Sequence, residues 1–335
     1  MDHQAPLPST GTLAELHARQ EQVALDAMTT GPPPLQGAGI VMVAGGPALT
    51  AAWVAIAILR EVQRCDLPIQ VWHLGPDELT PAMRRLPERF GVELVDAFAV
   101  RREHPMRRLG PWECKAYAAL RSPFRHVILL DADNVPLIDP ATLLAAPEYA
   151  ETGTIFWPDN HMHLPDSPVW DLFGVPYREE LEVESGQVVI DTARCWTPLS
   201  LAVHYNAWSD VYYRYIYGDK ETFHFAWRRL DQPWAMPEGR PHSVYFDKVT
   251  PHGRKRMTAA LEQRDFQGNI IFHHRTGAKW TIDGENVSTG RPDLDDACLD
   301  ALAELRTLQD APPIGKVNAC VGRPPRLGSS TLEPS

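Results

Sequence analysis

The sequence predicts an α/β protein, with a Rossmann-like, mostly parallel central sheet and flanking helices in a single domain. Three observations carry that expectation. Apolar runs of strand length at Gly39–Gly46, Ile69–Leu74 and Val92–Val95 alternate with helical segments, as in a chain of βαβ units. A further apolar strand, His126–Leu130, runs directly into Asp131-Ala132-Asp133. The hydrophobic fraction of 44% and charged fraction of 22% are those of an ordinary globular chain of 335 residues.

Taken in order, residues 1–36 read as a Pro-rich extension around an amphipathic helix, Leu13–Met28. The domain runs from residue 37 to 308. Its first strand ends in Gly45 and Gly46, which permit a close backbone turn. Helical segments follow at Leu49–Arg64 and Glu78–Phe90, then a basic loop at Arg101–Arg108 and a helix at Trp112–Leu120. Past the aspartates come a short helix, Ala141–Ala146, and a strand, Thr154–Trp157. A loop over 160–183 precedes Glu184-Ser185-Gly186, which opens the strand Gln187–Asp191. The spacing of Leu201, Tyr205, Trp208, Tyr212 and Tyr215 predicts one long helix over Pro198–Tyr217 with a core-facing stripe. Gly218 ends it, and a new helix starts after Asp219. A late strand, Asn269–Phe272, leads into His273-His274-Arg275-Thr276-Gly277-Ala278-Lys279-Trp280. The stretch 309–335, rich in Pro, Gly and Ser, is expected to be a disordered tail.

A net charge of −11 argues against a nucleic-acid partner. It is compatible with an anionic substrate, because a metal ion inverts the local field. The five cysteines are scattered with no CxxC, so neither a disulfide framework nor a zinc site is expected. No basic-then-apolar leader opens the sequence, and its longest apolar run, Ala51–Leu59, is too short to span a bilayer. A cytoplasmic chain is the expectation, with peripheral membrane contact left open. Of the 32 basic side chains only six are lysines, which makes each lysine worth inspecting.

Two carboxylates at the end of a buried strand suit a divalent cation, Mg²⁺ or Mn²⁺, at the edge where α/β sheets bind ligands. The same pattern fits a haloacid-dehalogenase-type phosphatase, with Asp131 as nucleophile and Asp133 as general acid. That fold needs a second acidic pair on a later strand. Asp295-Asp296 is the only later Asp-Asp, and it lies in a polar segment. A non-catalytic nucleotide-sugar-binding protein is the other alternative. His161 and His163, two apart in the Pro-rich loop, read as surface histidines.

Five motifs occur in one linear order: Cys114-Lys115-Ala116 through Ser122-Pro123-Phe124, the segment 129–140, Phe156-Trp157-Pro158-Asp159, Glu184-Ser185-Gly186 with its strand, and Gly218-Asp219-Lys220 with Glu221-Thr222-Phe223. Over about residues 38–280 the chain resembles the fungal Golgi-type α-mannosyltransferases. These are metal-dependent retaining glycosyltransferases of the GT-A fold that use GDP-mannose. The resemblance implies a nucleotide-sugar donor, GDP-mannose or a UDP-sugar, and a carbohydrate or glycolipid acceptor. It implies Mn²⁺, with Mg²⁺ as the other candidate, bound by Asp131 and Asp133 and completed by a late histidine. His273 and His274 both follow the strand, and the spacing to Gly277 and Lys279 favours His274. Lys279 and Lys115 are then candidates for the donor's diphosphate. Ala44, Gly45 and Gly46 would face nucleobase or ribose, and Ala132 the donor. Glu184 is assigned to sugar binding or acceptor activation and Asp219 to the β-face of the transferred sugar, both as catalytic candidates. Trp157, Asp159, Ser185, Gly186 and Lys220 are the remaining sugar- or acceptor-binding candidates.

Overall fold

The computed structural model describes residues 12–250 and 253–310. Ten strands are present among them: β1 Gln36–Val43, β2 Ile69–His73, β3 Glu93–Asp96, β4 Phe124–Asp131, β5 Asn134–Pro136, β6 Thr154–Pro158, β7 Val183–Asp191, β8 His242–Thr250, β9 Gly253–Arg264 and β10 Ile270–His274. A six-stranded sheet has the order β3-β2-β1-β4-β7-β6, and a four-stranded sheet has the order β5-β10-β9-β8. In the larger sheet β1 to β4 run parallel, and only β7 is reversed. The mostly parallel sheet expected from the apolar runs is therefore present.

Side chains of β4 alternate between two cores. Val127 and Leu129 pack on one face of the sheet with Tyr117, Phe156 and Trp227. Ile128 and Leu130 pack on the other with Trp53, Trp157 and Phe272. Burial on both faces is why these strands read as continuous apolar runs rather than alternating ones.

The register brings the site together. Val43 at the end of β1 lies opposite Asp131 at the end of β4. Because β7 is antiparallel to β4, with Leu130 opposite Gln187, the start of β7 falls beside the end of β4. The second sheet closes the same corner, since β10 pairs with β5 through His274 opposite Asn134. Asn134 ties the two sheets, its amide donating to the Gly186 carbonyl (2.8 Å) and to Gln187 Oε1 (2.6 Å).

The helix Leu13–Thr30 opens on a capping box in which Thr12 Oγ1 accepts from Glu15 N–H and Glu15 Oε2 from Thr12 N–H. Its buried Gln20 donates to the Leu172 carbonyl and to Tyr212 Oη, fastening the helix to the domain.

Several sequence expectations need correction. The Glu78–Phe90 segment is helical only in short pieces, with 3₁₀ turns and one helix, Leu86–Phe90; Pro81 interrupts it, and Pro87 sits in the first turn of that helix, where its missing N–H costs nothing. Part of the expected basic loop is helical, Ala97–Glu103, capped by Asp96 Oδ1 on the amides of Phe98 and Ala99. The long helix is broken at Trp208 into Trp196–Ala207 and Ser209–Tyr212. The guanidinium groups of Arg19 and Arg107 both lie over the Trp208 ring there, 4.7 Å and 4.3 Å from its centroid. Neither the hairpin β8–β9 nor the helix Pro292–Asp310 was among the expected elements, although Pro292, the acidic first turn and the spacing of Leu294, Cys298, Leu302 and Leu305 signal the helix. That helix contributes Cys298, Leu302 and Leu305 to the second core. It carries the chain to Asp310, and residues 311–335 lie outside the described residues. No helix among the described residues is long and apolar enough to cross a membrane.

Candidate active site

Two segments distant in sequence deliver three potential ligands to one point. Asp131 is the last residue of β4, Asp133 sits in the turn before β5, and His274 ends β10. His274 Nε2 lies 3.2 Å from Asp133 Oδ1 and 3.7 Å from Asp131 Oδ2. One donor atom from each of the three falls within 4.8 Å of the others. Strand alternation sends His273 the other way, where its Nδ1 meets Glu262 Oε1 at 3.0 Å. His274 alone of the pair joins the carboxylates.

Glu184 stands behind His274, with Oε2 3.4 Å from Nδ1. A carboxylate on the far nitrogen of an imidazole fixes the ring and raises its basicity, as behind metal-bound histidines. Burial would raise the Glu184 carboxyl, but His274 and Lys115 pull it down to about 2. Burial opposes charge on His274, yet Glu184 and Asp131 raise its imidazole pKa above the usual value. The field of this corner favours positive charge. Two carboxylates plus an imidazole are a donor set that fits Mn²⁺ well, whereas Mg²⁺ prefers oxygen alone.

Lys115, on the helix Glu113–Arg121, reaches the same corner from below. Its Nζ is 2.7 Å from Asp131 Oδ1, 3.0 Å from Asp219 Oδ2 and 2.9 Å from Ser185 Oγ. Burial would lower its pKa, but Asp131 and Asp219 outweigh burial and hold the ammonium charged. Ser185 Oγ donates in turn to Asp219 Oδ2 at 2.8 Å. Lys279, half-exposed at the rim, pairs with Asp133 Oδ2. Above these groups lies a cleft of about 390 Å³ whose apolar walls come from Ala48, Ala51, Trp112 and Trp280.

A second cavity, of about 660 Å³, opens on the other side of Glu184. Lys220 Nζ bridges Asp159 Oδ2 and Glu182 Oε2, both at 2.6 Å. Glu221 is buried there, one carboxylate oxygen accepting from Tyr217 N–H at 3.1 Å.

The family model described as "Mannosyltransferase putative" matches residues 37–170 and 163–274. The chain belongs to this mannosyltransferase family. Alpha-1,2-mannosyltransferase MNN26 of Candida albicans is 25% identical over 317 residues, covering 77% of this chain and 40% of that protein. Alpha-1,2-mannosyltransferase MNN5 of Saccharomyces cerevisiae is 24% identical over 327 residues, covering 79% of this chain and 55% of that protein. The chain thus spans about two-fifths to just over half the length of these relatives. Among solved structures, an active-site mutant of LgtC aligns with a TM-score of 0.50 at 13% identity, over 77% of this chain and 94% of that one. The fold of this mannosyltransferase-family chain is GT-A.

Some of the expected site residues have other roles. Trp157 is fully buried, its Nε1 donating to the Arg264 carbonyl and its ring set edge-on against Phe272, so it touches no sugar. Gly186 makes room for His274 rather than for a sugar, since a Cβ there would lie 2.3 Å from His274 Nδ1. Gly45 gives room in the same way to Glu78, whose Oε2 would be 2.1 Å from its Cβ. Ala44 is buried, and the wall after β1 is formed by Pro47, Ala48 and Ala51 rather than by Ala44, Gly45 and Gly46. Glu184 keeps Oε2 for His274 and the Gly186 amide while also bordering the second cavity. Ser185 serves Lys115 and Asp219. Asp219 and Ala132 line the first cleft, and Asp159 and Lys220 line the second.

His163 is half-buried rather than a surface residue, and with Glu182 and Glu221 it forms a second group of potential ligands. There Lys220 already neutralises Glu182. The pair Asp295-Asp296 lies at the start of the last helix and not on a strand, with Asp295 accepting from Ser288 Oγ and Thr289 N–H, so it is no partner for a phosphatase nucleophile. Trp112, Glu182, Tyr217 and Glu221 border the two cavities without having stood out in the sequence as site residues. Glu221 was within reach, because it stands inside the Gly218–Phe223 motif beside Lys220.

Proposed function

We propose that this chain is a divalent-metal-dependent glycosyltransferase that moves mannose from GDP-mannose, with retention of configuration, to a carbohydrate or glycolipid acceptor. The observation that carries this reading is the convergence of Asp131, Asp133 and His274 from β4, its following turn and β10, with Glu184 behind the imidazole. Membership of the mannosyltransferase family and the relatives' names point to mannose.

Asp131, Asp133 and His274 would hold Mn²⁺. When bound, such an ion supplies Lewis acidity toward a departing nucleoside diphosphate. Lys279, half-exposed at the rim and paired with Asp133, adds a cation for the same leaving group. The cleft above offers the apolar faces of Trp112 and Trp280 to the rest of the donor. Asp219 is the group for the β-face of the sugar. One of its oxygens is fixed by Lys115 and Ser185, which orients the carboxylate toward the cleft. A negative group so held stabilises the oxocarbenium character that glycosyl transfer develops. Lys115 links this carboxylate to Asp131, so the diphosphate and sugar ends of the site share one buried cation.

The test is a thermal-shift panel of nucleotide sugars with and without Mn²⁺. GDP-mannose should stabilise the chain only when Mn²⁺ is present, and Asp133→Ala should erase that shift. An equal shift in EDTA, or no response to any nucleotide sugar, contradicts the reading.

A further inference from the structure

The second cavity has no part in the donor chemistry above, and its construction differs from that of the cleft. Its carboxylates Asp159 and Glu182 are paired internally, and exposed Arg214 adds a second cation to the lining. Lys220 is bound by Asp159 and Glu182, with Glu221 Oε1 a third carboxylate at 3.7 Å. Glu221 is 2% exposed, and its Oε2 has no hydrogen-bond partner although the residue lines the cavity. A buried carboxyl oxygen left without a partner is costly unless a ligand supplies one. Paired charges with a spare acceptor suit a neutral polyhydroxyl compound better than an ion.

The rim carries a second, independent feature. Tyr217 is 78% exposed and Trp112 51% exposed, with ring centroids 6.1 Å apart. Trp112 borders the first cleft and Tyr217 the second, so the pair paves the ridge between them. Gly218 lies under Trp112, where a Cβ would be 3.1 Å from the indole. Large exposed aromatic faces of this kind mark binding surfaces, and the apolar face of a pyranose ring stacks on them. Beneath the ridge the wall is shared. Asp219 faces the cleft and Lys220, the next residue, faces the second cavity, while Glu184 borders it from β7.

We propose that this second cavity is the acceptor subsite, with Tyr217 as the platform for a neutral hexopyranose and Glu221 as the reader of one of its hydroxyls. The assignment rests on the glycosyltransferase reading and specifies which face of the Asp219–Lys220 wall each substrate occupies. The acceptor hydroxyl enters from the Lys220 side and the donor sugar from the Asp219 side. The bond formed joins that hydroxyl oxygen to the anomeric carbon, the bond broken is the anomeric carbon–phosphate oxygen bond, and the hydroxyl proton leaves with the nucleoside diphosphate.

The experiment uses the full chain with GDP-mannose, Mn²⁺ and two acceptors, methyl α-mannopyranoside and α-1,2-mannobiose. Tyr217→Ala should raise the acceptor KM about tenfold, the scale of one lost aromatic stack. Tyr217→Trp should restore it. Tyr245→Ala, which removes an exposed tyrosine of β8 that lines neither cavity, should leave KM unchanged. Glu221→Ala should raise the same KM, and Glu221→Gln, which keeps an acceptor oxygen, should raise it less. The GDP-mannose thermal shift in each variant reports folding. An acceptor KM unmoved by Tyr217→Ala and Glu221→Ala overturns the subsite while leaving the transferase reading intact. If the wild type turns over no nucleotide sugar, that reading fails separately. Saturation-transfer NMR with α-1,2-mannobiose then decides the subsite on its own. A sugar signal seen with the wild type and abolished by Tyr217→Ala supports it, and no signal with the wild type overturns it. Mn²⁺ line-broadening confined to His163 would also overturn it, in favour of a cation site.

Discussion

Two cavities meet at one wall, and each is built from carboxylates around a buried lysine. They differ in what the lysine leaves undone. In the second cavity Lys220 is bonded to Asp159 and Glu182 and lies near Glu221. In the first, Lys115 satisfies one oxygen of Asp131 and one of Asp219, while Asp133, the other oxygen of Asp131 and Glu184 crowd around His274. In the second cavity Lys220 occupies the centre of the carboxylates, whereas in the first Lys115 and Lys279 stand at its edges and the centre is left to His274. On the proposals above, similar residue types would serve a polyol on one side and a metal–diphosphate on the other. What separates them is where the histidine and the lysine stand, not how acidic each is.

The contrast between the cavities can be broken from either side. The largest effect is expected at the shared wall. Asp219→Asn should lower kcat by roughly 10²–10³ with donor affinity kept, the scale seen when a preorganised electrostatic group is removed. Full activity would remove Asp219 from the reaction. A smaller loss is expected at Gly186→Ala, because the added Cβ displaces His274. Mn²⁺ affinity should fall about 10–100-fold, as for the loss of an orienting partner, and calorimetric Mn²⁺ titration measures it. Lys220→Met should sharpen the contrast by opening the second cavity electrically. Its freed carboxylates and His163 should then take up a second Mn²⁺, raising the stoichiometry from one to two. A stoichiometry that stays at one would mean that the lysine is not what keeps this cavity free of metal.

The smallest effect concerns pH. Burial pushes the Glu221 carboxyl up to about 7, against the pull of Lys220. Between its unfolded value and about 7 the folded chain binds the extra proton, so this group costs stability as pH rises through that window. Glu221→Gln should therefore stabilise the chain by about 1–3 kcal/mol at pH 8 and by almost nothing at pH 4. Melting curves at the two pH values check the sign, and a gain at pH 4 would reverse it.

How much of this was legible from the sequence depends on how each element is buried. β4 was plain because Val127 to Leu130 are buried on both faces and so form an unbroken apolar run. The hairpin β8–β9 was not, because β9 opens with Gly253-Arg254-Lys255-Arg256 exposed and becomes buried only near Ala259. β7 looked as if it began at Gln187, because Glu184 and Ser185 are polar. They are buried all the same, held by His274, Lys115 and Asp219. Tertiary partners decided that boundary. Trp157 was a sugar-binding candidate through the Phe156–Asp159 motif, yet β6 is buried on both faces, so either strand phase puts it in a core, and Trp112 and Tyr217 are the exposed aromatics beside the cavities. The Asp131-Ala132-Asp133 turn and the His274–Trp280 element could be matched as motifs. That Gly186 and Glu184 serve His274 required the antiparallel register of β7, which no local pattern announces.

His273 and His274 offer the most direct test of the central claim, because they are adjacent, both buried and both backed by a glutamate, yet point to opposite faces of β10. Electron paramagnetic resonance of Mn²⁺ titrated into the chain with GDP should show one bound ion in the wild type and in His273→Gln. His274→Ala should lose it. Retention of the ion in His274→Ala, or its loss only in His273→Gln, would contradict the account.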